Sequence, residues 1–293
     1  MVPDVAAPLA VVCHDAGAAG HVFAWLADDP RELRVVAEGP AADLWARRFP
    51  GRATVASVEE ALAGASALLS GTGWASDLEH RARLVARERG VRSIAVLDHW
   101  VNYAMRFERH GQSVFPDEIW VTDEYALAEA RRCFPRQSVR LQPNAYLEHV
   151  LSAIGPPALA GDDVLYVLEP VRDNWGRDTP GEFQALDYFV ARRSALGLPS
   201  GSVLRVRPHP SDPPGKYDGW LARQHSVPVV LDDAPTLAAA VSRCRWVAGC
   251  ESYALIVALA AGRSVVCTLP PWAPPARLPP GKLIHLRTIP DPR

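Results

Sequence analysis

Short apolar runs recur along the chain, and between them lie longer Ala-, Leu- and Arg-rich segments of helical period. This is the pattern of βαβ units laid around a parallel sheet. In the first half the apolar runs are 9–13 (LAVVC), 33–38 (LRVVAE), 67–71 (ALLSG), 93–98 (SIAVLD), 118–123 (EIWVTD) and 139–143 (VRLQP). Helical segments are predicted at 20–28, 40–48, 57–64, 76–89 and 124–133. The 76–89 segment is the clearest, since Ser76, Asp77 and Glu79 open it and Gly90 closes it. Periodicity breaks at 154–163 (IGPPALAGDD), which places a domain boundary there and divides the chain into 1–156 and 157–293. The alternation then restarts, with strands at 163–170, 203–210, 227–232, 245–250 and 264–269 and helices at 180–196, 216–224, 235–242 and 252–261. The expected fold class is α/β, two successive Rossmann-like parallel-sheet domains. The segment 270–280 (PPWAPPARLPP) reads as an ordered loop after the last strand.

Composition narrows the function. With 293 residues, 48% hydrophobic and 22% charged, the chain has material for substantial cores. A formal charge of -2 gives no global basic field for nucleic acid or an anionic membrane. Lys occurs only at Lys216 and Lys282, so the basic residues are nearly all Arg, a bias that fits a GC-rich genome and lowers the weight of any single surface Arg. Solvated helix faces account for Arg-rich stretches such as 81–89. Five cysteines without paired C-x-x-C spacing argue against a disulfide framework or a zinc ribbon and fit a reducing cytoplasm. The start lacks a basic n-region and reads as a first strand, and the longest apolar stretch, 253–261, is far short of a membrane span. A small, locally bound partner is expected, and oligomeric state is not legible.

In open α/β sheets, ligands sit beyond the carboxyl ends of the strands. After the first strand comes HDAGAAGH, with His14, Asp15, Gly17, Gly20 and His21. Its small residues permit a tight turn, and the helix that follows offers N–H groups to an anion or a sugar hydroxyl; a generic strand-to-helix turn is the bland alternative. Neither G-x-x-x-x-G-K-[ST] nor G-x-G-x-x-G is present. After the fourth run, Asp98, His99 and Asn102 cluster with Trp100 and Tyr103. The polar three suit a general base with its orienter, or hydroxyl recognition against an aromatic ring. The competing reading has Asp98 capping a turn and the aromatics filling core. Asp123 and Glu124 serve equally as cleft carboxylates or helix caps.

The second half repeats this placement. Glu169 and Arg172 follow its first strand, and Arg207 and His209 of RPHP follow the next, where a cation and an imidazole suit phosphate oxygens. Glu251 and Ser252 open an apolar helix; Glu251 suits a ribose diol, leaving Ser252 and backbone amides for phosphate. Each is separately also a plausible cap. Missing i, i+4 histidine pairs argue against a metal, and the missing G-x-S-x-G against a serine hydrolase. Neither a metal nor a cofactor is expected, and Cys13 and Cys250 are read as buried packing.

Taken together, these residues resemble the GT-B superfamily of glycosyltransferases, including nucleotide-sugar 2-epimerase-like proteins. The segment 17–27 (GAAGHVFAWLA) is similar to the Gly-rich first loop of the peptidoglycan UDP-N-acetylglucosamine transferases, with His21 at the matching histidine. RPHP resembles the basic-His-Pro motif of bacterial sialyltransferases and capsule polymer transferases, in which the His touches the donor phosphate. The segment 250–266 is similar to the donor-domain helix of such enzymes, and the blocks LDHWVNY and EIWVTDEY to proteins of bacterial surface-polysaccharide loci. The first loop lacks the fuller Gly run, and the Ser/Thr pair that accompanies basic-His-Pro is represented only by Cys250 and Ser252.

The resemblance implies two Rossmann-like domains facing a cleft and a metal-independent glycosyltransferase. The C-terminal domain would hold the nucleotide-sugar donor and the N-terminal domain a small-molecule or glycan acceptor. Arg207, His209 and the helix opening at Ser252 would stabilise the leaving phosphate, and His21 or the Asp98/His99 pair would deprotonate the acceptor. The alternatives are a nucleotide-sugar epimerase or hydrolase on the same fold, and a non-catalytic binding protein of a polysaccharide assembly.

Overall fold

The computed structural model describes residues 5–73, 75–156, 163–171, 173–199, 201–279 and 281–290. The chain divides into two units, Met1–His149 and Val150–Arg293. In the first, β1 (Leu9–Cys13), α1 (Ala16–Trp25), β2 (Leu33–Ala37), α2 (Gly39–Arg48), α3 (Val58–Ala61), β3 (Ala67–Ser70), α4 (Leu78–Arg89) and β4 (Arg92–Val96) follow one another. A 3-10 turn at Ala104–Phe107 leads to a small antiparallel hairpin of β5 (Glu108–Arg109) and β6 (Gln112–Ser113), then β7 (Glu118–Val121), α5 (Glu124–Cys133), β8 (Ser138–Leu141) and α6 (Ala145–Ser152). The six long strands form one parallel sheet in the order β2-β1-β3-β4-β7-β8.

The second unit contains β9 (Val164–Val167), α7 (Gly181–Arg192), β10 (Leu204–Arg207), α8 (Asp218–Leu221), β11 (Val229–Leu231), α9 (Leu237–Arg243), β12 (Trp246–Gly249), α10 (Tyr253–Ala260), β13 (Ser264–Cys267) and β14 (Ile284–His285). Its parallel sheet runs β11-β10-β9-β12-β13-β14.

Continuous apolar strands follow from burial on both faces. Every residue of β1, β3, β7 and β9 is buried. Along β1 the pleat sends Leu9, Val11 and Cys13 to a core with α1, α2 and Trp120. Ala10 and Val12 go to the opposite core with α3 and α4. In the second unit Val164, Tyr166 and Leu168 meet α7 in the same way. The helix starts are set by side chains that take an otherwise unpaired N–H: Ser57, Asp123, Thr236 and Ser252 cap α3, α5, α9 and α10. Gly90, in the left-handed region at φ 66°, ends α4.

Several sequence expectations need correction. Helix α1 begins at Ala16, earlier than the expected 20–28, so Gly17 as well as Gly20 lies inside the helix. Alanine supplies the propensity, and both glycines are needed because another side chain lies against the helix backbone at each. The expected helices at 57–64 and 216–224 shrink to Val58–Ala61 and Asp218–Leu221. Helix α6, the hairpin and β14 carry short or exposed faces without clear periodicity, and the sequence reading missed them. The division of the chain falls inside α6, whereas the sequence reading puts it in the connector, of which 157–162 lie outside the described residues. Among the described residues no helix is long and apolar enough to cross a membrane.

Candidate functional site

Both sheets reverse their strand order once. In the first unit the chain moves outward from β1 to β2 and then returns to place β3 on the other side of β1; in the second, β10 and β11 lie to one side of β9 and β12 to the other. At such a switch point adjacent connections leave in opposite directions and open a crevice at the carboxyl ends of the strands.

In the first unit a buried acid occupies this point. Glu79, in the first turn of α4, accepts the His14 backbone N–H at 2.8 Å. Glu79 is fully buried, and burial raises its carboxyl above the ordinary range, with the Asp15 charge adding to the shift. His14 Nδ1 lies 2.8 Å from Asp15 Oδ1, so Asp15 orients the imidazole. The Asp15 carboxylate packs against Gly73 so closely that a β-carbon there would overlap it. Gly39 plays the corresponding part for the His14 ring: it has φ +51, and a β-carbon would stand 2.6 Å from His14 Nε2.

One strand further out lies Asp98. Arg106, from the 3-10 turn, donates from Nη1 to Asp98 Oδ1 at 2.5 Å and from the same nitrogen to Thr72 Oγ1 at 3.2 Å. Thr72 Oγ1 in turn donates to the Val96 carbonyl at 2.7 Å. The other oxygen, Oδ2, lies against Gly17, where a β-carbon would overlap it. Burial works to raise the Asp98 carboxyl, but Arg106, His99 and His21 outweigh it and hold it below the usual carboxylate range. The Asp98 side chain keeps 18% exposure, whereas His21 keeps 2%. His21 lies within α1 against the Tyr146 and Trp25 rings, and burial lowers its pKa. His99 Nδ1 accepts the Trp100 backbone N–H at 3.0 Å. Asn102 is exposed with φ 60°, in the left-handed region that Asn tolerates. Asp123 caps α5 through Oδ1 and accepts the Trp100 indole N–H through Oδ2 at 2.9 Å, so both oxygens are engaged.

In the second unit Glu169 follows β9 and accepts the backbone N–H of Glu251, the residue two beyond β12, directly across the switch point. Burial pushes the Glu169 carboxyl up to about 7, although that N–H works in the opposite sense. Glu251 accepts Arg277 in a fork, with the Arg277 backbone N at 2.5 Å and Nη2 at 2.8 Å. Ser252 caps α10 by accepting the Ala254 N–H at 3.3 Å. Arg207 ends β10 paired with the buried carboxylate of Asp232, and donates to the Ala234 carbonyl at 2.9 Å. His209 Nδ1 accepts the Ser211 backbone N–H at 3.1 Å and lies 2.7 Å from the Ser211 hydroxyl; with Nδ1 as the acceptor of both, the proton of the neutral ring is on Nε2. Burial lowers the His209 pKa and so favours that neutral ring. Arg172 lies outside the described residues.

The structure therefore brings His14, Asp15, Gly17, His21, Asp98 and His99 to one end of the first sheet. Glu169, Arg207, His209, Glu251 and Ser252 lie at the same end of the second. Sequence reasoning missed Thr72, Glu79, Arg106, Ser211, Asp232 and Arg277, the residues that hold the candidates. A signal existed for Glu79, an acid in a helix's first turn; an Arg among many Arg carried none. Among the described residues no three His, Cys, Asp or Glu side chains converge as a metal site requires. A surface groove of about 700 Å³ beside α7, lined by Arg177, Asp187, Tyr188 and Trp272, contains none of these candidates.

No family model matches the sequence, and no curated protein matches it. Solved structures do match the fold. MnaA of S. aureus, in a structure with UDP, aligns at a TM-score of 0.60 and 12% identity, covering 88% of this chain and 78% of its own. The UDP-N-acetylglucosamine 2-epimerase of Methanocaldococcus jannaschii aligns at 0.58 and 9% identity, covering 88% and 83%. A Listeria monocytogenes protein assigned as a UDP-N-acetylglucosamine 2-epimerase gives 0.58 at 13% identity, covering 88% and 78%. The chain thus has a GT-B-like fold, two successive parallel α/β units of the kind these proteins share.

Proposed function

We propose that the protein is a nucleotide-sugar enzyme in which the second unit binds the nucleotide and Asp98 of the first unit is the base. The observation that carries this reading is the fold match along 88% of the chain to structures that include MnaA with UDP, together with polar side chains at the carboxyl ends of both sheets. Epimerisation at a ring carbon of a UDP-sugar is the first reading, since the matched proteins are described as UDP-N-acetylglucosamine 2-epimerases. Transfer of the sugar to an acceptor hydroxyl is the second, favoured by the RPHP segment at the end of β10.

The chemistry follows from the side chains. His209, neutral with its proton on Nε2, is a hydrogen-bond donor to an oxygen of the departing diphosphate, and the dipole of α10 adds to it. Asp98, held as an anion, accepts a proton from the acceptor hydroxyl in transfer. In epimerisation it takes the proton of the carbon being inverted as the diphosphate leaves, and a proton returned to the other face of that carbon with re-addition of the diphosphate gives the inverted UDP-sugar. It is preferred to His21 because part of its side chain reaches solvent while His21 is enclosed.

A thermal-shift panel of UDP, CMP, GDP, dTDP and CDP, with and without magnesium, tests nucleotide binding. Incubation with UDP-N-acetylglucosamine, followed by NMR of the anomeric protons, separates the reactions. A second UDP-sugar signals epimerisation, whereas free UDP with a glycosylated acceptor signals transfer. A chain that is stabilised by none of the five nucleotides and converts no nucleotide sugar refutes the reading.

A further inference from the structure

In the first unit several buried hydrogen bonds converge on one side chain beside Asp98. Arg106 is 7% exposed and stands in a 3-10 turn, downstream of the strand end that carries Asp98. Its Nε donates to the Val101 carbonyl at 3.3 Å, while Nη1 reaches both Thr72 Oγ1 and Asp98 Oδ1. Its own carbonyl accepts Nη2 of Arg83 at 3.3 Å; Arg83 is itself buried and also donates to the carbonyls of Gly71 and Val114. These bonds tie the 3-10 turn to the loop after β3, so Arg106 has little freedom to swing away from Asp98.

We propose that Arg106, fixed by Thr72 and the Val101 carbonyl, is the positioning residue of the Asp98 base, holding one carboxylate oxygen while the other packs on the bare backbone of Gly17. The inference rests on the assignment of Asp98 as the base. It explains three features of the sequence with one geometry. Gly17 is required because a β-carbon would occupy the place of Asp98 Oδ2. Thr72 is buried and polar because it spans Arg106 and the Val96 carbonyl. The planar fork of the Arg106 guanidinium is what lets one side chain reach three acceptors in different directions.

The groups facing Asp98 come from several elements. His99 is its neighbour in sequence and His21 faces it from α1; both act with Arg106 to favour the anion. On the acidic side, Asp123 at the start of α5 shares with Asp98 its influence on His21. Asp15 and Glu79 share with Asp98 their influence on the buried Cys13 thiol. The site is crowded with acids, and Arg106 is the permanent cation bonded to Asp98.

The test uses the full chain with 13C-labelled aspartate, the Asp98 carboxyl signal being the one lost in Asp98→Asn. In Arg106→Gln the Asp98 carboxyl should titrate about 1–3 pH units higher than in the wild type, the range expected when an adjacent opposite charge is removed. The acid limb of kcat/KM should move with it, and Arg106→Lys should restore most of the shift. A folded Arg106→Gln with an unmoved carboxyl and an unmoved acid limb overturns the proposal. Where Arg106→Gln fails to fold, Thr72→Val loosens the guanidinium, and a carboxyl that titrates as in the wild type overturns it equally. A shifted carboxyl in a chain that converts no nucleotide sugar overturns the assigned reaction instead, leaving the Arg106–Asp98 coupling established.

Discussion

Replacing Glu169 by Gln should change the shape of the pH–stability curve, favouring the variant increasingly as pH rises. The Glu169 carboxyl titrates at about 7 in the folded protein, raised by burial, against ~4.3 in an unfolded chain. Between those values the folded state binds more protons at this site than the unfolded one, so the stability that Glu169 contributes falls as pH rises through that window and is flat outside it. Integrating the two titrations from pH 5 to pH 8 gives about 2.5 kcal/mol, which water reaching part of the carboxyl reduces to about 2 kcal/mol. Gln keeps an oxygen for the Glu251 N–H and cannot ionise. Any constant cost of its amide cancels when the Gln-minus-wild-type difference is compared at the two pH values. Calorimetric melting should therefore show that difference growing by about 4–8 °C between pH 5 and pH 8. A difference of the same size at both pH values would refute the argument that desolvation at the switch point raises the Glu169 carboxyl.

Three further substitutions probe other parts of the structure. Gly17→Ala places a β-carbon on Asp98 Oδ2, so turnover should fall by about 10²-fold with the circular dichroism spectrum retained; undiminished turnover removes Asp98 from the reaction. Gly249→Ala brings a β-carbon to 2.7 Å from the Val167 carbonyl on the neighbouring strand and should cost about 1–3 kcal/mol in urea unfolding; an unchanged midpoint denies that β12 and β9 are this close. His209→Ala would remove the hydrogen bond proposed to reach a charged phosphate, so the Kd for UDP by calorimetry should rise about 10–100-fold; an unaltered Kd takes His209 out of the proposed nucleotide site.

The fold was legible because parallel strands are buried on both faces and read as continuous apolar runs, as LAVVC and EIWVTD do. Placement of the candidates was legible for a related reason: a chain leaving a buried strand reaches water at its carboxyl end, so the first polar residues there, His14, Asp98, Glu169 and Glu251, mark the crevice. What each side chain touches was not legible. Arg207 looked like an anion contact, but its partner Asp232 arrives from the end of another strand, and no spacing within the chain announces that pairing. Gly17 looked like a turn residue, because a glycine required for close approach and one required for a turn are the same letter. Helix α6 was missed since none of its residues is fully buried, which leaves no periodic apolar face to read.

The two units share a device that bears on how an anion would be held. In each, a glutamate takes a backbone N–H across the switch point: the buried Glu79 with His14 in the first, the half-buried Glu169 with Glu251 in the second. These are positions at which a doubly wound sheet commonly presents amides to phosphate. Two amides near the start of α10 are thus already used, that of Glu251 by Glu169 and that of Ala254 by the Ser252 hydroxyl. Charge on the second unit is balanced locally as well, Arg207 by Asp232 and Arg277 by Glu251. The donor that the local hydrogen bonds favour is the neutral Nε2–H of His209, with Nδ1 accepting from the Ser211 amide. A nucleotide held there meets oriented dipoles more than net positive charge. Such an arrangement needs little reorganisation as charge builds on a leaving diphosphate, which is where electrostatic catalysis gains most.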